Sequence, residues 1–237
     1  MSAPNAAAAN ASFEFEALNE AVNYRRAVVR EFAPVLHGTV VELGAGIGQV
    51  GRILMARPEV RRFVAVEPDA SFHARLAAAV GPERMVAGSL ADLPADVAPD
   101  AIVAVNVFEH IEDDEGEMAR AFRLLQPQRG SLGIFVPARP EIHAPLDDDF
   151  GHFRRYTRPG LRAALERAGF RVRTLRYFNG IGYLAWWWAF CVRRQRGFSR
   201  TAVRFFDRVV FPPAYWFESR VCSPPLGQSL VALAQAE

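Results

Sequence analysis

Apolar positions along the chain follow two periods. Residues 14–32, EFEALNEAVNYRRAVVREF, place Phe15, Leu18, Val22, Val29 and Phe32 roughly on the helical period, which predicts an amphipathic helix. Short continuous apolar runs follow at Thr39–Leu43, Arg62–Glu67, Met85–Gly88, Ala101–Asn106 and Ser131–Val136. Helical patterns at Gln49–Ala56, Ala70–Ala79 and Glu115–Leu125 separate them. Strand alternating with helix predicts an α/β fold with a mostly parallel sheet. Runs of Val, Ile and Ala without polar alternation suit strands covered on both faces. Further on, Thr157 reads as an N-cap, with Pro159 just inside a helix RPGLRAALERA and Gly169 as its stop. Strands are predicted at Phe170–Phe178 and Leu230–Ala234. Residues 179–228 between them are too many for a hairpin loop and predict an insertion with its own helices. Residues 13–178 and 229–237 then form the core. Residues 1–12, rich in Ala, Ser, Asn and Pro, read as a disordered N-terminus.

The composition, 51% hydrophobic and 23% charged over 237 residues, is that of a globular protein. The net charge of +2 implies no general pull on nucleic acid. There is no lysine, since all 28 basic residues are arginine. This excludes Schiff-base chemistry and a phosphate-binding P-loop lysine. Cys191 and Cys222 are too few for a disulfide framework or a four-cysteine zinc site. The N-terminus lacks the basic and apolar regions of a signal peptide, and the longest apolar run, Ile181–Val192, is too short to span a bilayer. The expectation is a cytoplasmic protein, with peripheral contact at the inner membrane left open.

The charge is uneven. Phe170–Arg220 holds ten arginines against two acids, Asp207 and Glu218, together with fifteen aromatic residues that include all four tryptophans. Such a segment reads as a cap over a site, a homodimer interface, or a membrane-facing surface through 181–217 that serves a lipid-linked substrate. Nucleic acid is not expected, because the overall charge is low and no RNA-binding module is visible.

The chemistry gathers where the first strand turns into the first helix. Gly44, Gly46 and Gly48 allow a sharp turn and close approach of a ligand to the main chain. Glu67 ends the second strand, where a carboxylate can accept from both hydroxyls of a ribose. Together they point to a nucleoside-containing cofactor. Gly46–Gly51, GIGQVG, formally matches a dinucleotide fingerprint but stands out of register with the strand. Glu42 would repel a pyrophosphate and tolerate an ammonium group. An NAD-dependent oxidoreductase is thus the weaker reading, and a non-catalytic cofactor-binding or membrane-associated protein is a further one.

Val40–Gly48, VVELGAGIG, resembles motif I of class I S-adenosylmethionine-dependent methyltransferases, in a bacterial subgroup. Phe63–Asp69, FVAVEPD, resembles motif II, and Asp100–Ile111, DAIVAVNVFEHI, resembles motif IV. The resemblance covers about residues 20–180. It implies a three-layer αβα Rossmann-like sheet of about seven strands, mostly parallel with an antiparallel last strand. It implies S-adenosyl-L-methionine as cofactor and S-adenosyl-L-homocysteine as product. Glu42, Gly44, Ala45, Gly46 and Gly48 would line the methionine part, Glu67 would hold the ribose, flanked by Pro68 and Asp69, and Asn106 would contact the methionine end through its backbone. Gly88-Ser89 stands where many relatives carry Gly-Asp. The adenine contact then falls to Ser89 and Leu90, with Asp92 as an alternative. Tyr24, on a helix preceding motif I, would close over the cofactor.

Methyl transfer needs an aligned acceptor and, for a hydroxyl, a route for its proton. His37 and His73 read as structural. His110, beside the expected methyl group, and His152 are the candidate catalytic residues. In Glu141–Thr157 the stretch Gly-His-Phe-Arg-Arg-Tyr is similar to a substrate wall of the subgroup, which makes His143, Arg155 and Tyr156 candidate acceptor contacts. Alternatively Arg155 pairs with Asp147–Asp149 in a salt-bridged lid. A cation held by those aspartates and His152 is outweighed, because acid runs are usually solvated faces, and no metal is expected. The expected reaction is O-methylation of a small-molecule or lipid- or glycan-linked acceptor, with N- or C-methylation as alternatives.

Overall fold

Strand β1 (Gly38–Leu43) lies in the interior of the sheet because it carries apolar side chains on both faces. Val41 and Leu43 face one core cluster, and Val40 faces the other. The computed structural model describes residues 19–237. The further elements are α1 (Val22–Glu31), α2 (Gly51–Met55), β2 (Val60–Glu67), α3 (Ala70–Val80), β3 (Met85–Ala87) and β4 (Ala101–Val105). They continue with α4 (Asp114–Leu125), β5 (Ser131–Pro137), α5 (Pro145–Asp149), α6 (Arg158–Arg167) and β6 (Phe170–Phe178). Last come α7 (Gly180–Trp186), α8 (Arg200–Phe205), α9 (Phe211–Arg220) and β7 (Ser229–Ala236).

Seven strands form one sheet in the order β3-β2-β1-β4-β5-β7-β6, with β7 antiparallel to both neighbours. The predicted mostly parallel sheet with an antiparallel last strand is the observed one. The order reverses between β1 and β4, the switch point beyond whose strand ends open α/β sheets form their ligand crevice. Helices α1, α2, α3 and α9 cover one face through residues such as Val28, Leu54, Leu76 and Phe211. Helices α4 and α6 cover the other through Met118, Leu125, Leu161 and Leu165.

Two sequence expectations are met only in part by the described residues. Of the helix expected over 14–32, residues 14–18 lie outside the described residues, as does the N-terminus 1–12. Asn19 and Glu20 form a turn before α1. The segment 179–228 does form helices, but they divide between two tasks. Phe211 and Tyr215 of α9 pack into the main core. Trp186 and Phe190 form a separate cluster with Ile142, Ala144 and Leu146. Helices α7 and α8 each run on into a π-helical turn, Trp187–Val192 and Phe206–Val210.

Asp207 and Glu218, the two acids of the arginine-rich stretch, are buried and serve as caps for distant helices. Helix α1 has no cap of its own, and Asp207 accepts from the Asn23 and Tyr24 N–H groups at 3.0 and 2.8 Å. Glu218 accepts from the Asn179 and Gly180 N–H groups at 2.9 and 2.7 Å where α7 begins. An anion at a helix N-terminus satisfies orphan donors and complements the helix dipole. Replacing Asp207 with Ala leaves those donors buried without partners. It should lower unfolding stability by about 1–3 kcal/mol. A urea titration checks this, and an unchanged midpoint would remove Asp207 from the fold's support.

Candidate active site

The chain leaves β1 through three left-handed glycines, Gly44, Gly46 and Gly48, with φ of 67, 54 and 78°. The Gly44 and Ala45 N–H groups both donate to the Val66 carbonyl, at 2.8 and 3.0 Å. A Cβ on Gly44 would stand 2.5 Å from a Val107 methyl, so the loop also needs glycine there for space. Val107 follows Asn106, which leaves β4 with φ of 53° and donates its N–H to the Phe135 carbonyl at 2.8 Å. The loops after β1 and β4 thus meet at the crevice.

Two carboxylates lie under the glycine loop. Glu67 accepts from the Gly46 N–H at 2.7 Å and the Asp69 N–H at 2.9 Å, one on each oxygen. Each oxygen keeps a lone pair for a further donor. Glu42 is buried, and its Oε2 has no hydrogen-bond partner. Burial, and then the neighbouring Glu67, push its carboxyl well above the usual range. That oxygen can accept from a donor or meet a cation. Asp69 is the N-cap of α3, accepting from the Ser71 N–H at 2.8 Å, and Pro68 is exposed beside it. The His73 ring lies 2.9 Å from the Glu67 carbonyl, a structural contact. After β3, the Ser89 N–H and hydroxyl both donate to Asp92, at 2.8 and 2.9 Å, while Leu90 is buried. These bonds hold the Asp92 carboxyl below its ordinary value.

Tyr24 is not a free lid. Its ring is walled by Phe135, Phe178 and Phe211 at 6.1, 5.4 and 5.0 Å, and burial pushes its hydroxyl up to about 12. The ring fixes α1 to the sheet.

On the other side of the crevice the structure brings His110 and His152 together, with ring centroids 4.7 Å apart and planes at 77°. His110 ends a tight turn, Phe108–His110, directly after β4. Its outer edge is exposed. Desolvation of the rest of the ring, and then His152, lower it to about 4, so it is neutral at pH 7. His152 is held by Asp147, its Nδ1 lying 2.9 Å from Oδ1. Asp147 is fully buried and also accepts from the Ala144 N–H at 2.9 Å and from the Arg155 Nε–H at 3.0 Å. Burial raises the Asp147 carboxyl, but the His152 and Arg155 bonds and the Arg155 charge outweigh it, and the net shift is downward.

Arg155 and Tyr156 were expected at an acceptor and are instead committed inward. Arg155 is buried, donates to the Ala138 carbonyl at 3.0 Å and lies 4.5 Å from the Trp186 ring. The Tyr156 hydroxyl donates to Asp114 at 2.6 Å. His143 faces outward, its Nε2 lying 2.9 Å from Asp148. The aspartate run does not converge on His152 as a group, because Asp147 points in and Asp148 and Asp149 are exposed. The residue missed in the sequence is Glu109. It is fully buried, both carboxylate oxygens lack partners, and burial pushes it up to about 8. Its place beside His110 in the motif was the available signal.

A family profile described as a methyltransferase domain matches residues 16–175. The chain belongs to the class I S-adenosylmethionine-dependent methyltransferases. A probable S-adenosylmethionine-dependent methyltransferase of Mycolicibacterium smegmatis is 33% identical over 149 residues, which cover 60% of this chain. The match spans 56% of that relative's length, just over half. Among solved folds, a putative methyltransferase of Haloferax volcanii, in complex with the Trm112 activator, superposes with a TM-score of 0.62 at 17% identity, covering 97% of this chain and 94% of that one. A Burkholderia thailandensis 1,6-didemethyltoxoflavin-N1-methyltransferase, solved with S-adenosylhomocysteine, gives 0.56 at 20% identity, covering 99% and 91%. The cofactor of this methyltransferase is S-adenosylmethionine, which supplies a methyl group activated on a sulfonium. The unpartnered Glu42 oxygen and the positive-φ glycine cradle fit a ligand that carries an ammonium group. The NAD alternative falls with the family.

Removing the Asp147 carboxylate strands a buried Arg155 charge and releases His152. Asp147→Ala should cost about 3–5 kcal/mol of stability. Thermal or urea unfolding measures it, and a loss within error of zero would show that the lid segment stands without this network.

Proposed function

We propose that this methyltransferase methylates a hydroxyl oxygen on a lipid or a lipid-linked glycan, which it reaches from the surface of an anionic membrane. The observation that carries the reading is the two-sidedness of α7 and its π turn. Inwardly, Trp186 and Phe190 pack on Ile142 and Leu146, and the Trp186 N–H donates to the Ile142 carbonyl at 3.0 Å. That places the helix against the segment leading to His152. Outwardly, Leu184, Trp187, Trp188 and Val192 are exposed, the two tryptophans by 45% and 55%. Phe205, Val209, Trp216, Phe217 and Val221 are exposed on the following helices.

Exposed arginines lie among these side chains: Arg193, Arg194, Arg196, Arg208 and Arg220. Aromatic rings with interspersed arginine suit the interfacial layer of a bilayer, and each arginine near an anionic surface adds about 1 kcal/mol. Among the described residues no helix is long and apolar enough to cross a membrane, so contact by this route would be peripheral.

Within this reading Glu42, Ala45 and the glycines 44, 46 and 48 line the methionine part of the cofactor. Glu67 takes the ribose hydroxyls beside Pro68 and Asp69, Ser89 and Leu90 border the adenine, and the Asn106 main chain meets the methionine end. The His110–His152 pair orients the acceptor hydroxyl for in-line displacement, where alignment supplies much of the rate. A neutral His110 imidazole suits a hydroxyl acceptor.

Two measurements test the reading. Glu67→Ala should weaken S-adenosylhomocysteine binding at least tenfold by calorimetry, with NAD as the control ligand. Unchanged affinity would remove Glu67 from the ribose. The double substitution Trp187→Ser with Trp188→Ser should reduce flotation with phosphatidylglycerol vesicles at least tenfold and leave cofactor binding unchanged. Equal flotation of both proteins, or none with either, would retire the membrane surface.

A further inference from the structure

Glu109 is an unusual carboxylate. Its side chain lies wholly inside the protein, in the turn that carries His110, and neither oxygen meets a donor among the described residues. A carboxylate in that setting costs several kcal/mol unless something neutralises it. Its surroundings offer no arginine contact, because Arg155, the nearby guanidinium, is taken up by Asp147 and the Ala138 carbonyl. They do offer two imidazoles. One ligating atom each from Glu109, His110 and His152 lie within 4.8 Å of one another.

We propose that Glu109, His110 and His152 form a binding site for one first-row divalent cation, with the buried carboxylate beneath and the two imidazoles toward solvent. Four features support the assignment. Distances of about 2.0–2.2 Å from one ion to such ligands require only a small closure of this arrangement. The two-imidazole, one-carboxylate set favours zinc, iron or manganese over calcium or magnesium, which prefer all-oxygen shells. The second shell is already in place: the Asp147 carboxylate holds the His152 Nδ1, which leaves Nε2 for the ion, and Arg155 and the Ala144 N–H hold Asp147. Finally, the outer side is accessible, since His110 is exposed and His152 only part-buried, so positions remain for water or a ligand.

This site deepens the hydroxyl-acceptor reading and, for its catalytic use, rests on it. An acceptor hydroxyl in an open position of the ion becomes more acidic and loses its proton to solvent. The oxygen then forms the new O–CH3 bond as the S–CH3 bond breaks. The electron pair of that bond goes to sulfur, and the neutral thioether S-adenosylhomocysteine leaves. His110 and His152 in this account act on the hydroxyl through the ion rather than as bases.

The test uses the full chain, stripped with a chelator and dialysed. Zinc chloride is titrated in by calorimetry, and magnesium chloride serves as the comparison. One equivalent of zinc should bind, with magnesium at least a hundredfold weaker. Glu109→Gln, which keeps the shape of the side chain, and His152→Ala should each weaken zinc binding at least tenfold, with circular dichroism unchanged. Cobalt loading gives a second readout, because its visible absorption reports nitrogen ligands and should be lost in both variants. No stoichiometric zinc binding, or binding equal in wild type and Glu109→Gln, overturns the site. S-adenosylhomocysteine binding by the same samples separates the two claims. If it is intact while zinc fails to bind, this inference alone is wrong, whereas loss of both condemns the reading of the crevice itself.

Discussion

The segment that follows β5 depends on one buried carboxylate. Asp147 gathers a main-chain N–H, an imidazole and a guanidinium that lies, like itself, almost out of water. A buried ion pair is not stabilising by default, since the desolvation of two charges offsets much of their attraction. Here the geometry repays that cost, because Arg155 meets the carboxylate with both Nε and Nη2 and continues to the Ala138 carbonyl at the end of β5. The network ties the segment 142–155 to the sheet, and Asp147 holds the His152 ring that lies against His110.

The cofactor side runs on the opposite electrostatic principle. Glu42 and Glu67 stand together beneath the glycine loop; Glu67 takes the Gly46 and Asp69 N–H groups, while one Glu42 oxygen has no partner among the described residues. The unsatisfied partner is an energetic cost to the free protein. Such costs persist where a ligand removes them, and in the proposed function a cofactor with an ammonium group and ribose hydroxyls would supply the missing partners. In the proposed function Glu42, rather than Glu67, is the residue that disfavours a pyrophosphate, since a carboxylate at the end of the second strand is common to dinucleotide folds as well.

The aromatic and basic residues after β6 are less separate from the core than their composition suggests. Phe211 and Tyr215 belong to the layer that covers the sheet, and Asp207 and Glu218 cap helices far away in sequence. These anchors leave the outer tryptophans and arginines displayed on a rigid support. In the proposed function that support carries the membrane surface and the acceptor wall on two sides of one helix.

The sequence by itself determined the sheet and the cofactor loop. Strand runs, the glycine spacing at 44, 46 and 48, and Glu67 at the end of β2 are local features, fixed by period and backbone sterics, so they can be read without neighbours. Thr157 and Gly169 marked the ends of α6 for the same reason. Only the tertiary structure decided what the side chains beyond β4 do. Arg155 and Tyr156 look like acceptor contacts in the sequence, yet each is consumed by a partner, Asp147 or Asp114, brought to it by folding. Glu109 looks like a turn residue, and its lack of a partner is a property of the packing around it. Tyr24 could have been a lid, until three aromatic rings from β5, β6 and α9 enclosed it. Pairings across the chain depend on which loops the sheet order brings together, and no local pattern encodes them.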